Sequence, residues 1–172
     1  MRRRIPKWAW GMVAVLVIVG APIAWYLGSP LFINRVVDEP FPGGVPAASA
    51  DPMPPGTAQG AVLARGTFAG ADDFHKGQGT ATLYRVGGEV VLRLDPFRVT
   101  NGPDLRVILT RHASPRTRAD VMAGYLEVAR LKANIGSQNY TLPAETNLAD
   151  YRAVVIYCKP FHVVFAVAPL AP

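Results

Sequence analysis

Twenty consecutive residues without a charge, Trp8 to Leu27, constrain this chain more than any other feature of its sequence. As a helix rising about 1.5 Å per residue they would extend roughly 30 Å, the thickness of a bilayer's hydrocarbon core. Arg2, Arg3, Arg4 and Lys7 lie just before the run, whereas the segment after it brings Arg35 against Asp38 and Glu39. By the positive-inside rule the N-terminus, residues 1–7, stays in the cytoplasm and the rest of the chain crosses. Trp8 and Trp10 at one end, with Trp25 and Tyr26 at the other, sit where amphipathic rings favour the headgroup level. A cleaved signal peptide shares the pattern of basic residues before an apolar core. The run is long for such a core, however, and Ala21-Pro-Ile-Ala24 followed by Trp25 is a poor small-residue cleavage site. The reading is a single-pass anchor in the cytoplasmic membrane, with the C-terminal part outside and the lipid bilayer as its first partner.

Charge narrows the remaining partners. The formal +6 includes four basic residues of the N-terminal tail, which leaves fourteen basic against twelve acidic residues elsewhere. A balance so close to neutral gives no nucleic-acid footprint. The local basic run of Arg111, His112, Arg116 and Arg118 around Pro115 reads as a solvated loop, with contact to an anionic lipid or polymer as the weaker option. Cys158 is the one cysteine in the 172 residues, so no intramolecular disulfide can form. It is buried and inert, paired with another molecule, or functional. No cysteine directly follows the span, which argues against a lipoprotein.

Residues 28–60 are rich in Pro, Gly, Ala and Ser and read as an extended stalk. From Ala61 onward the apolar residues fall in short alternating runs separated by turn signals, the pattern of strands. The expected strands are Val62 to Phe68, Thr80 to Val86, Glu89 to Leu94, Asp104 to Thr110, Tyr125 to Lys132, Gln138 to Leu142, Ala153 to Cys158 and Phe161 to Ala168. Gly87-Gly88 marks a tight hairpin, since paired glycines supply the positive φ it needs. Only Arg118 to Ala123 and Thr146 to Tyr151 could hold a helical turn. The fold class is all-β: an antiparallel β-sandwich or barrel-like domain of about eight strands spanning residues 61–172, plus the N-terminal transmembrane helix.

The last two strands are apolar on both faces and should form a central hairpin covered on two sides. A two-residue Lys159-Pro160 loop would set Cys158 opposite Phe161, Ile156 opposite Val163 and Val154 opposite Phe165, with Tyr157 and His162 on the other side. That placement weighs against a metal shared by Cys158 and His162, despite their C-x-x-x-H spacing. A thiolate can ligate haem iron or a soft metal, and a thiol can be oxidised; a free cysteine ending an apolar strand is also an ordinary small hydrophobe. His75 lies in Asp72-Asp-Phe-His-Lys-Gly-Gln-Gly79, where it is either a hydrogen-bonded turn residue or a ligand beside two carboxylates. Asn101-Gly-Pro-Asp104 is a turn. No nucleophile elbow, nucleotide loop, H-E-x-x-H, C-x-x-C or C-x-x-C-H motif is present, so nothing indicates hydrolysis, phosphoryl transfer or covalent haem.

Taken in order, the motifs from Gly66 to Leu170 resemble the DM-thirteen, or electron-transfer DM-thirteen, domain family. The matching residues are Gly66-Thr-Phe68; His75 and the glycines after it; Phe97 with Asn101-Gly-Pro-Asp-Leu105; Leu131-Lys132; Gly136-Ser-Gln-Asn-Tyr140 with Leu142-Pro143; and Tyr151, Val154-Val-Ile-Tyr-Cys158, Phe161, Val163, Phe165, Ala168 and Leu170. Two residues depart from the family pattern: Tyr157, where tryptophan is more usual, and Ala166, where glycine is common. The resemblance implies a redox or electron-transfer role centred on the family's cysteine, here Cys158, as a bare thiol or through haem. The cofactor stays unspecified, with haem as the candidate and Cys158 and His75 as its ligands, and the further partner is an unnamed redox or cell-envelope component. The rival reading is a binding or adhesion module, not an enzyme, whose cysteine is structural.

Overall fold

The computed structural model describes residues 6–43 and 60–172. An apolar helix, α1 (Lys7–Phe32), contains one stretch, Trp8–Tyr26, that is long and apolar enough to cross a membrane and is covered by none of the other described residues. The helix continues past Leu27, because its backbone hydrogen bonding does not end where the apolar run does. Helix and hydrocarbon span are set by different forces.

Nine strands follow: β1 (Ala61–Thr67), β2 (Ala69–Gly70), β3 (Gly77–Val86), β4 (Glu89–Val99), β5 (Leu105–Thr110), β6 (Tyr125–Arg130), β7 (Gln138–Thr141), β8 (Ala153–Cys158) and β9 (Val163–Pro169). They form two antiparallel sheets, ordered β1-β3-β4-β7 and β2-β9-β8-β5-β6, so the architecture is a sandwich. The eight expected strands are all present. The ninth, β2, is only two residues long, too short for alternation to reveal. The two expected helical turns are α2 (Arg118–Met122), closed by a Thr117/Asp120 capping box, and a 3₁₀ turn at Leu148–Asp150. Gly87 and Gly88 make the β3–β4 turn with φ of 56° and 92°.

Alternation places Leu83, Leu92, Leu94, Val107, Leu109, Val154 and Ile156 between the sheets. Ile108, Val155, Tyr157, Val164 and Val167 point to the other face of the five-stranded sheet, where Val121 of α2 covers them. All six residues of β8 are therefore buried, as expected for a strand apolar on both faces. Full burial of a Val or Ile side chain contributes about 1.5–3 kcal/mol, against at most about 1 kcal/mol for a surface ion pair such as Lys159–Glu127. The hairpin is held by its packing.

The register of that hairpin differs from the sequence expectation. Cys158 pairs with Val163, Tyr157 with Val164, and, after a bulge, Ile156 with Ala166 and Val154 with Ala168. Pro160 cannot adopt the positive φ that a two-residue hairpin turn requires, so the connection takes four residues and the positive φ falls on His162, at 56°. Tyr157 and His162 do share a side, with the tyrosine hydroxyl 3.3 Å from His162 Nδ1. Cys158 lies on the opposite face.

The expected stalk also begins differently. Arg35, Val37 and Glu39 hydrogen-bond through their backbones to Asn134, Ile135 and Ser137, and Phe41 packs edge-on against Tyr84. Residues 33–41 thus border the four-stranded sheet, and prolines at 40 and 42 suit a margin where no further ladder donor is needed. Residues 44–59, the rest of the expected stalk, lie outside the described residues.

The buried amide of Gln138 organises the turn beside this border. Its Oε1 accepts from the Ala133 N–H and the Tyr140 hydroxyl, and its Nε2 donates to the Ala133 carbonyl. Gln138→Leu keeps the volume but leaves the Ala133 N–H and carbonyl without partners and the Tyr140 hydroxyl with nothing to donate to, only the Lys132 N–H to accept from. It should lower stability by at least about 2 kcal/mol, read as a lower urea midpoint of the full chain in detergent.

Candidate functional site

Three connections converge at one end of the sandwich: 71–76 between β2 and β3, 100–104 between β4 and β5, and 159–162 between β8 and β9. They enclose a cleft of about 380 Å³ with mainly apolar walls, lined by Phe74, His75, Pro103, Phe161, Val163 and Phe165. Both sequence candidates belong to this end. His75 lines the cleft, and Cys158 lies beneath it, its Sγ 3.2 Å from the carbonyl oxygen of Pro103.

Asp72 positions the histidine. One carboxylate oxygen accepts the backbone N–H groups of Phe74 and His75 at 2.8 and 2.7 Å, and the other is 2.6 Å from His75 Nδ1. The His75 side chain and the two backbone donors hold the Asp72 carboxyl down at about 2. Asp72 is then ionised at neutral pH and can only accept, so Nδ1 carries the proton and Nε2 is the nitrogen left for a ligand. A carboxylate that fixes the tautomer in this way is the usual support of a ligating histidine. The ring rests against Phe165, centroids 4.3 Å apart, and Gly102 lies so close to that phenyl group that a Cβ there would collide with it. Lys76 and Thr100 zip the first two connections together through N–H···O bonds of 2.8 and 2.9 Å.

Cys158 is fully buried among core residues. Burial pushes its thiol above the ordinary range, the nearby Phe161 N–H opposes this, and the Asp104 carboxylate adds to it. The S–H form donates to Pro103; a thiolate would be desolvated and would face that carbonyl's negative end. His75 therefore presents a usable ligand atom in this conformation and Cys158 does not. Asp73 points away into solvent, and among the described residues no group of three metal-ligating side chains comes together.

The remaining motifs have structural work. Asn101 donates its amide to Asn34 just beyond α1, and Asp104, at φ 47°, faces Arg106 at 2.8 Å and Arg130 at 3.4 Å. The Ala166 methyl occupies the space above Gly77 where a Cβ would otherwise sit, which is how alanine is accommodated there. Sequence reasoning missed Asp72 as the partner of His75, although an aspartate three residues before a histidine in a turn-rich loop is a readable signal. It also missed Asn34, whose partners are 67 and 100 residues away and leave no local trace.

The sequence model of a family described as Electron transfer DM13 matches residues 67–170. No curated protein and no solved structure matches the chain.

Two measurements check this geometry. Cys158 in the native full chain should resist a maleimide reagent that labels it stoichiometrically in denaturant, read by mass shift; equal labelling would show an open sulfur. Because the folded Asp72 pKa is depressed, its bond to His75 is fully present above the ordinary carboxylate range near 3.8 and is lost as pH falls toward about 2. An NMR titration of the Asp72 carboxyl should show that low midpoint, and His75→Ala should return it toward the ordinary value.

Proposed function

Because the chain belongs to the Electron transfer DM13 family, we propose that it is a membrane-tethered, extracytoplasmic electron-transfer domain whose redox centre occupies the cleft between His75 and the residues above Cys158. The observation that carries this reading is the Asp72-fixed His75 in an apolar cleft whose wall includes Pro103, the residue to which the cysteine bonds. The helix Lys7–Phe32 supports the tether, and the arginines before it support the orientation.

The donor set fits an iron–porphyrin held by His75. Nε2 is the nitrogen not facing Asp72, Phe161, Val163 and Phe165 offer an apolar surface, and Asp72 fixes the ring. Such a group supplies one-electron exchange with no bond made or broken. The chain's own residues would bind and orient it, pack the Phe161 and Phe165 rings against it, and keep the proton on His75 Nδ1, which donates to the Asp72 carboxylate. As the sole cysteine, Cys158 has no thiol in the chain with which to form a disulfide. Its part is beneath the cleft, where its bond to Pro103 fixes the 100–104 connection.

A second reading has its own support in the complete burial of Cys158: a binding or adhesion module in which that residue is only core. Absorption spectra of the chain purified from its native membrane, and after haem addition, before and after dithionite, separate the two. The redox reading expects a Soret band that shifts on reduction and that His75→Ala weakens or abolishes. Absence of any band, together with a Cys158→Ser variant of unchanged stability and biological activity, would favour the binding module.

A further inference from the structure

The cleft-bearing end of the domain is also the end closest to the membrane helix. After Phe32, the last residue of α1, only Ile33 intervenes before Asn34, whose side chain accepts from Asn101 at 2.8 Å and Asn134 at 3.0 Å. Two extended residues span at most about 7 Å. From Tyr26, the end of the apolar stretch, to Phe32 the helix rises roughly 9 Å, comparable with the headgroup layer of one leaflet. Asn101 is therefore tethered at the outer edge of that layer, and Asn101 lines the same cleft as Phe74 and Phe161.

Those two phenylalanines are anomalous for a solvated loop. Phe74 is 84% exposed and Phe161 58%, more than any other aromatic residue described in the domain. They come from separate connections and lie on one rim, which is how an apolar contact patch is built and not how isolated surface residues fall. Near them in the chain are Asp72, Asp73, Lys76 and Lys159, and the Arg116 guanidinium bonds the Ala71 carbonyl at the start of the same connection, so the charge beside the rim is mixed in sign.

We propose that the Phe74/Phe161 rim docks into the headgroup–acyl boundary of the same leaflet from which α1 emerges, so that the His75 cleft opens onto the bilayer. The short tether holds the rim within about 9 Å of that boundary, the rise from Tyr26 to Phe32, and burial of the two phenyl rings supplies the attraction. The redox partner reached through such a mouth is a lipid-soluble molecule or the membrane-level face of a protein, not a solute of the bulk phase. This inference rests on the tethered reading above.

The test uses the full chain in phosphatidylcholine vesicles, with Phe74→Cys carrying an environment-sensitive fluorophore and Glu89→Cys, at the opposite end of β3 and β4, as the control site. The unsubstituted chain serves as the labelling blank for Cys158. Docking expects a blue-shifted emission at position 74 that lipids brominated near the headgroup quench, no quenching at 89, and loss of the quenching at 74 when Phe161→Asp is added. Equal quenching at both sites, none at 74, or quenching at 74 that Phe161→Asp leaves unchanged would overturn docking, the last by showing mere tether proximity. Extraction of the chain by alkaline carbonate would overturn the tether itself, whereas retention without quenching sinks the docking alone.

Discussion

The burial of β8 on both faces is the constraint on which the rest of the domain depends. A strand with all six side chains covered needs a neighbouring strand on each side within its sheet, here β5 and β9, and a layer on each face. The opposing sheet supplies one layer and α2 with its flanking loop supplies the other. Once β8 is fixed in this way, its end is fixed, and the three connections around that end have little freedom in where they meet. The cleft is a consequence of the core, placed at the mouth of its most buried hairpin.

The same constraint divides the two candidate residues. Cys158 is the last residue of β8 and inherits its burial, so the sulfur remains a neutral thiol bonded to Pro103. His75 lies on a connection outside the sheets, where a neighbouring carboxylate is affordable because water still reaches it. Asp72 can stay ionised there and hold the ring by its Nδ1 proton. A single end of the fold thus holds a buried sulfur and, on the cleft wall, an imidazole fixed by a carboxylate. The chain belongs to a family described by electron transfer, and at this end of the fold the Asp72 carboxylate engages His75 Nδ1 beside the cleft.

Much of this was legible in the residues. Alternation located eight strands, the glycine pair located a hairpin, and the absence of a sustained 3.6-residue period limited the helices to single turns, as observed. The sidedness of Tyr157 and Cys158 followed from period two alone. The exact pairing of β8 with β9 did not, because a bulge at Ile156/Tyr157 and a four-residue turn both depend on how the strands twist against their neighbours. His75 was readable as a candidate, and its partner Asp72, three residues before it, left a local signal that was not used. The segment carrying Asn34 and Glu39 looked like a linker because its proline content says only that it is not helix or central strand.

By itself the sequence determined the elements: an uncharged run of bilayer length, strands that alternate, a strand apolar on both faces, and turns where glycine or proline allow nothing else. These are properties of one residue and its near neighbours, so periodicity and composition suffice. Tertiary structure alone decided which ends meet. Asn34 with Asn101 and Asn134, Lys132 with Glu39, and the cysteine with Pro103 are pairs separated by 55 to 100 residues. No local preference favours one such partner over another; the choice was made by the packing of two sheets around β8, which brought those groups within hydrogen-bonding distance.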